Sequence, residues 1–441
     1  MAKIYISLFG CDKNRIDAEI IASILNEAGH SITDDILESD IVVINTCAFI
    51  EAATEECISY IMEVIKIKED RNTPLKKIVV TGCLAERYKK EVTEEFPEVD
   101  ALVGIGKNSE IISIIERILE GETVENFGEK QNLPINGRRL LSTPSHYAYL
   151  KIAEGCSNFC SYCIIPYIRG RYRSRLLHDI LDEAKSLVDS GVKEIILVAQ
   201  DISNYGSDLT EKTNLTRLLK EIVKLENLWK VRLLYTYPEH ITNELIDTIA
   251  KENKIAKYID IPLQHSNDKI LKNMNRKGTG KEYLDLVKKI KDKIPNISLR
   301  SSFIVGYPQE TVKQFEELIT FIKTTRFARA GCFCYSQEDG TIASKMSGHI
   351  KQEEKQRREE RFMTIQSAIL SELQQNMVGQ KLEVIIDCYD EEQKMYSARS
   401  EYDAPEIDTI VYVKTDKKLN PGNIITVSVN DTDGIDLFSN F

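Results

Sequence analysis

The chain has 441 residues, 42% of them hydrophobic and 29% charged, with a formal charge of −11. Such totals describe a globular protein of two to four domains. They exclude a membrane span, because apolar runs such as Ile41–Ile44 are far shorter than the roughly 20 residues a bilayer needs, and they argue against nucleic acid as the primary partner, since phosphate contacts need clustered Lys and Arg. The N-terminus, MAKIYISLFGCDKN, has no signal-peptide apolar region, so the expected location is cytoplasmic. Ten cysteines in that compartment favour metal or redox use over disulfides.

Up to about residue 110 the pattern alternates strand and helix. Strands are expected at Lys3–Leu8, Asp40–Asn45, Lys77–Thr81 and Ala101–Val103, and helices at Asp12–Ala28, Thr54–Lys68 and Ser109–Leu119. Such βαβ units imply a parallel sheet covered by helices. Residues 121–144 lack periodicity and contain Gly121, Gly128, Pro134, Gly137 and Pro144, the composition of a linker. Alternation then returns, with strands at Tyr147–Ala153, Glu194–Ala199, Val231–Tyr235, Tyr258–Ile261, Ser298–Val305 and Ala328–Tyr335. Six βα units predict a partial (β/α)6 barrel with its site at the strand C-terminal ends. Gln352–Asn376 reads as a long charged helix. Strands alone follow, at Lys381–Cys388, Met395–Ser400, Thr409–Val413 and Ile424–Val429, and predict a small antiparallel β-barrel. The expected division is 1–120, a linker over 121–144, 145–375 and 376–441, all within an α/β chain.

Cys156, Cys160 and Cys163 form C-x3-C-x2-C directly after the first strand of the barrel-like region. Three thiolates in one loop can hold three irons of a [4Fe–4S] cube. The fourth iron is then open, as catalysis requires. The competing reading is a zinc site that borrows a distant fourth ligand. The loop Glu154-Gly-Cys-Ser-Asn-Phe-Cys-Ser-Tyr-Cys163 resembles the radical S-adenosylmethionine (SAM) signature. That resemblance implies SAM on the open iron as cosubstrate, cleaved to a 5′-deoxyadenosyl radical, with the protein supplying orientation and shielding. It also places Tyr162 near the adenine; ordinary core packing is the alternative.

Cys11, Cys47 and Cys83 are far apart in sequence but alike in context, each just past a buried strand. In a parallel sheet those ends share one edge, and adjacent strands are only ~4.8 Å apart. Convergence on a second cluster is therefore expected, against the alternative of three core cysteines. Cys57, Cys332, Cys334 and Cys388 show no such pattern and receive no role.

Together these residues resemble the methylthiotransferases, whose three parts are a three-cysteine domain, a radical SAM core and a C-terminal TRAM barrel. That family modifies an adenosine in transfer RNA or an aspartate of small-subunit ribosomal protein twelve. Leu8-Phe-Gly-Cys-Asp-Lys-Asn14, Ile164-Ile-Pro-Tyr-Ile-Arg-Gly170, Asp260-Ile-Pro-Leu-Gln-His265 and Ala398-Arg-Ser-Glu-Tyr-Asp-Ala-Pro-Glu-Ile-Asp408 are similar to the ribosomal-protein branch. Phe9 is a departure, since the family more often reads Leu-Gly-Cys there. The resemblance implies two [4Fe–4S] clusters, an electron donor, a sulfur donor and a basic ribosomal-protein substrate. Residues 376–441 carry six Lys/Arg against thirteen Asp/Glu, a net of −7. An acidic barrel repels phosphate and suits a basic protein.

Other candidates are less specific. Ser302 and Glu310 lie in the segment similar to the superfamily's adenine-flanking strand and loop. Gln200 and Asp201 end the second strand and are candidates for the SAM amino or ribose groups. Arg169, Arg171, Arg173 and Arg175 alternate after the cluster loop; they suit either a carboxylate clamp or structural ion pairs. His265 also ends a strand, where a structural role is the commoner one. The remaining alternatives are the same chemistry on transfer RNA, a second cluster that only relays electrons, and a zinc-binding adaptor.

Overall fold

The computed structural model describes residues 1–130 and 136–441; Pro134 of the expected linker lies outside them. The first sheet contains β1 (Lys3–Leu8), β2 (Ser31–Thr33), β3 (Ile41–Thr46), β4 (Lys77–Gly82), β5 (Ala101–Val103) and β6 (Val124–Asn126). Its order is β2-β1-β3-β4-β5-β6, with every pair parallel. All six residues of β3 are buried, because helices cover both faces of a parallel sheet. Each buried Ile or Val there contributes roughly 1.5–3 kcal/mol. Two strands differ from expectation. Ser31–Thr33 and Val124–Asn126 are only three residues long, too short to show a period, yet both pair at the sheet. The stretch after residue 120 therefore begins inside the sheet.

The second sheet is also wholly parallel. It is built from β7 (Tyr147–Lys151), β10 (Glu194–Val198), β11 (Lys230–Leu233), β12 (Ile255–Asp260), β13 (Ser298–Val305) and β14 (Arg329–Cys334), ordered β14-β13-β12-β11-β10-β7. This is the partial barrel expected from the six βα units. The first strand is shorter than predicted, because the chain breaks after Lys151 into a separate two-stranded pair, β8 (Ala153–Glu154) with β9 (Arg173–Ser174). That pair clamps the base of the Cys156 loop. The helix Gln352–Gln375 packs on the barrel, burying Phe362 and Ile369 in the barrel core.

Five strands close the C-terminal barrel: β15 (Lys381–Asp390), β16 (Met395–Ser400), β17 (Val411–Lys414), β18 (Ile424–Thr432) and β19 (Leu437–Asn440). The barrel is not wholly antiparallel, since β17 and β19 run parallel. Its link β16–β17 folds back over the central sheet. There Lys230 meets Glu401 at 3.2 Å, Arg329 meets Asp403 at 2.8 Å, and Arg300 meets Asp408 at 2.9 Å. Arg15 of the N-terminal unit reaches Glu406 at 2.8 Å. Among the described residues no helix is long and apolar enough to cross a membrane.

Candidate active site

The three chain-distant cysteines meet on one sheet edge. β1, β3 and β4 are neighbours, and each cysteine follows the end of its strand. Two glycines permit the approach. Gly10 has φ +88°, and a Cβ there would lie 2.7 Å from both Cβ and Sγ of Cys47. Gly82 has φ +96°, and a Cβ there would lie 2.4 Å from the Thr46 carbonyl oxygen. Only glycine fits both positions. Phe9 is accommodated as one residue beyond β1: its N–H donates to the Asn45 carbonyl at 3.0 Å, and its ring packs on Tyr60.

Asn14 ties these loops together. It is fully buried, and its Nδ2 donates to the carbonyls of Phe9 and Thr46, both at 2.9 Å. Its Oδ1 accepts from Arg169 and lies 3.8 Å from the Cys83 sulfur. One side chain thus holds the residues leading to Cys11 and Cys47 and touches the third thiol. Burial pushes the Cys47 thiol up to about 11 and Cys83 up to about 12; neighbouring thiols add to the rise and Arg169 opposes it. Crowded thiols of this kind ionise when a metal takes the thiolate in place of the proton.

The second triplet lies in the loop after β8. Burial raises Cys156 to about 12 and drives Cys163 up as well, with Cys160 next to both. Gly155 has φ +73°, and a Cβ there would clash with the Arg171 carbonyl at 2.3 Å. Buried Arg276 stands beside this triplet, over the Tyr237 ring at 4.0 Å. Each set of thiols therefore has a buried arginine next to it, Arg169 for one and Arg276 for the other. Such cations offset the negative charge of thiolate-ligated iron–sulfur groups. Among the described residues no three His, Cys, Asp or Glu side chains close around a single metal ion; a cube asks instead for one thiolate on each of three irons. Soft thiolates are the donors that iron–sulfur clusters take, and both triplets fit them.

One segment of the chain reaches both triplets. Past β11, Tyr235 lies next to Cys11, with its hydroxyl 3.0 Å from Asp12, while the Tyr237 hydroxyl is 4.0 Å from the Cys160 sulfur. Tyr235 adopts φ +63°, an unusual conformation for a tyrosine. Below them is a buried four-charge network. Arg169 bonds Glu154 at 3.1 Å and Asp17 at 3.0 Å, and Lys151 bonds Asp17 at 2.6 Å and Glu154 at 2.9 Å. Burial opposes ionisation of Glu154, but Lys151 and Arg169 hold it well below the usual carboxylate range. Asp17 comes from the N-terminal unit and the other three from the barrel, so the network ties the two units together close to both cysteine sets. Buried pairs of this kind add less stability than geometry, because desolvation offsets most of the attraction.

The other predicted residues separate into groups. The Tyr162 hydroxyl lies against Cys160, and its ring packs with Met274, Tyr307 and Tyr335. Asp201 accepts from Asn158 of the cluster loop at 3.1 Å, from Ser203 at 2.6 Å, and pairs with His240 at 3.0 Å. Gln200 donates to Glu154 at 3.2 Å, leaving its buried Oε1 without a protein partner among the described residues. The Ser302 carbonyl, on β13, accepts from the Gln264 N–H at 2.8 Å. Glu310 is engaged inside the fold, paired with Arg358 at 3.1 Å and with His265 at 3.4 Å. Arg169 and Arg175 are structural, with Arg175 bonding the Lys151 carbonyl at 2.7 Å and Glu183 at 2.6 Å. Arg171 sits over the Phe159 ring. Cys57 accepts the Cys47 N–H at 3.2 Å. Asn14, Lys13 and Arg276 were absent from the sequence-based candidates. The first two stood next to Cys11 in the motif already quoted, whereas nothing local marks Arg276.

The fold and the paired cysteine edges define the class, a radical SAM enzyme with a second three-cysteine site. Residues 3–104 match the uncharacterized protein family UPF0004, residues 150–322 the Radical SAM superfamily, and residues 378–441 the TRAM domain. The chain is 47% identical to the ribosomal protein uS12 methylthiotransferase RimO of Thermoanaerobacter sp., covering 100% of both chains. It is 43% identical to the protein of that name from Clostridioides difficile, covering 99% of this chain and 98% of the relative. Among solved structures, the radical SAM methyltransferase TsrM from Kitasatospora setae shares the fold with a TM-score of 0.55 at 16% identity, over 75% of this chain and 72% of that one. The chain belongs to the RimO family of methylthiotransferases.

Proposed function

We propose that the chain replaces a hydrogen on the β-carbon of an aspartate of ribosomal protein uS12 with a methylthio group. The observation that carries this reading is one segment, Tyr235 to Tyr237, that approaches a thiol of each triplet. We assign Cys156, Cys160 and Cys163 to one [4Fe–4S] cluster and Cys11, Cys47 and Cys83 to another, with Tyr162, Gln200, Asp201, Ser302 and Glu310 as the candidate SAM surroundings. When bound, the clusters and SAM supply the hydrogen-abstracting radical, the sulfur and the methyl group, chemistry that an unactivated C–H bond requires. The chain's own residues position these groups. Asn14 and the two glycines shape one thiol edge, the β8–β9 pair holds the other, and the Asp17–Lys151–Glu154–Arg169 network ties the N-terminal unit to the barrel. We also propose a cytoplasmic location, separate electron and sulfur donors, and units at 1–120, 145–375 and 376–441 joined by a linker over 121–144 whose first residues, through β6, complete the N-terminal sheet.

The test is mass spectrometry of purified uS12 after incubation with enzyme, SAM, sulfide and a reductant. The expected gain on one aspartate is about 46 Da, the mass of methylthio in place of hydrogen. A methylthio group on transfer RNA, with uS12 unchanged, would refute the substrate. Cys83→Ala is expected to keep SAM cleavage while abolishing sulfur insertion; continued insertion would remove the role given to the second triplet.

A further inference from the structure

Lys13 follows Cys11 by two residues and is 6% exposed. Its ammonium lies 3.4 Å above the centre of the Tyr235 ring. Among the described residues it has neither a carboxylate within ion-pairing distance nor a hydrogen-bond acceptor. Buried cations elsewhere in the chain are treated differently. Lys151 has two carboxylates, Arg169 two, and Arg232 and Arg399 share Glu194. Charge–ring attraction replaces only part of the hydration an ammonium loses on burial. An ammonium with no carboxylate in direct contact, on a side chain this buried, is available to an anion.

Its surroundings indicate which anion. Cys11, Asp12 and Asp260 are all near enough to Tyr235 to act on its hydroxyl, and Tyr235 lies past β11, at the C-terminal edge of the barrel. Asp12 is already occupied by the Tyr235 hydroxyl. Asp260 accepts the Tyr235 N–H at 3.1 Å through one oxygen, and its other oxygen, 3.9 Å from Arg300, has no hydrogen-bond partner among the described residues. Neither carboxylate lies within ion-pairing distance of Lys13, although Lys13 acts on Asp260 electrostatically from further off. The position is thus two residues from a thiol of the first triplet, over the segment whose Tyr237 reaches Cys160 of the other. In an aspartate the carboxylate is one bond from the β-carbon that reacts. A cation that holds this carboxylate also places that carbon. A neutral adenine ring offers no such anion.

We infer that Lys13 is the substrate-binding cation, holding the side-chain carboxylate of the target aspartate next to the sulfur-carrying edge. The inference rests on the aspartate reading given above. The test measures binding of recombinant uS12, and of versions in which its aspartates are replaced one at a time by asparagine, to the iron-loaded enzyme. For the native enzyme one asparagine replacement is expected to weaken binding about 10-fold or more, as for a charge-assisted hydrogen bond. Lys13→Met is expected to bind that version and the unaltered protein equally, and Lys13→Arg to keep the preference. Lys13→Gln serves if Lys13→Met does not accumulate as folded, iron-loaded protein. If the uncharged variants retain the native preference, the inference falls while the substrate reading stands. If the native enzyme itself shows no preference at any aspartate, the inference falls, and the mass of uS12 after turnover decides the substrate reading separately.

Discussion

Replacing Asn14 by Ala tests how the three-thiol edge is built. The side chain is fully buried and its amide satisfies two backbone carbonyls, those of Phe9 and Thr46, at 2.9 Å each. Alanine leaves both acceptors without a donor in a region water does not reach. Each orphaned group costs about 1–3 kcal/mol, so the loss is about 4 kcal/mol once some relaxation is allowed. Arg169 loses one acceptor but keeps Asp17 and Glu154, so the charge network persists. The damage should therefore be local to Cys11, Cys47 and Cys83. Two assays report it. The urea midpoint of the N-terminal transition should fall in the metal-free protein, and the iron content of the reconstituted protein should drop from about eight per chain toward about four. Full iron loading with an unchanged midpoint would show that the thiol edge does not depend on this side chain.

Two further predictions concern charge. Arg399 reaches Glu194 of the central sheet at 2.5 Å across the contact between the barrels and holds Asp387 of its own barrel at 2.8 Å, which in turn meets His146 across the contact at 2.7 Å. Arg399→Leu should cost about 3–5 kcal/mol by stranding these acids, and limited proteolysis should then release the C-terminal barrel; resistance equal to the native protein would contradict this. Burial, opposed by Arg300, raises the Asp260 carboxyl from 3.8 to about 6. Because the folded state holds this proton more tightly than the unfolded chain, the stabilisation is complete below about pH 4 and is lost as pH rises through 6. The burial cost above that window is about 3 kcal/mol. Asp260→Asn should therefore gain about 2 kcal/mol relative to the native chain between pH 4.5 and 7.5, read from urea unfolding of the metal-free protein; a constant difference across that range would refute the shift.

Much of the site was legible in sequence because its chemistry is local. The C-x3-C-x2-C loop needs no tertiary partner to present three thiols. Cys11, Cys47 and Cys83 could be brought together because a parallel sheet places equivalent strand ends on one edge. Arg276 could not be found, since it reaches the Cys160 loop from 116 residues away and has no local pattern. The acidic C-terminal barrel pointed the right way, but its net charge overstates the field a partner meets. Asp387, Glu401, Asp403, Glu406 and Asp408 pair with residues of the barrel itself, the central sheet or the N-terminal unit. Eight acids then remain outside these pairs, against five lysines, so the field offered to a partner is weaker than the net charge implies. Within Ala398–Asp408, the segment similar to the ribosomal-protein branch, the residues from Arg399 onward serve as the docking strap.

Sequence alone determined the two cysteine sets, the alternation of strand and helix, and the three-part order of the chain. These are carried by spacing and periodicity, which a linear chain displays directly. Tertiary structure decided which charges are spent inward, that Asn14 joins three loops, and that Lys13 lies over the Tyr235 ring with no carboxylate within ion-pairing distance among the described residues. Those facts depend on what stands opposite each side chain in space, and burial multiplies the energetic consequence of a missing or present partner.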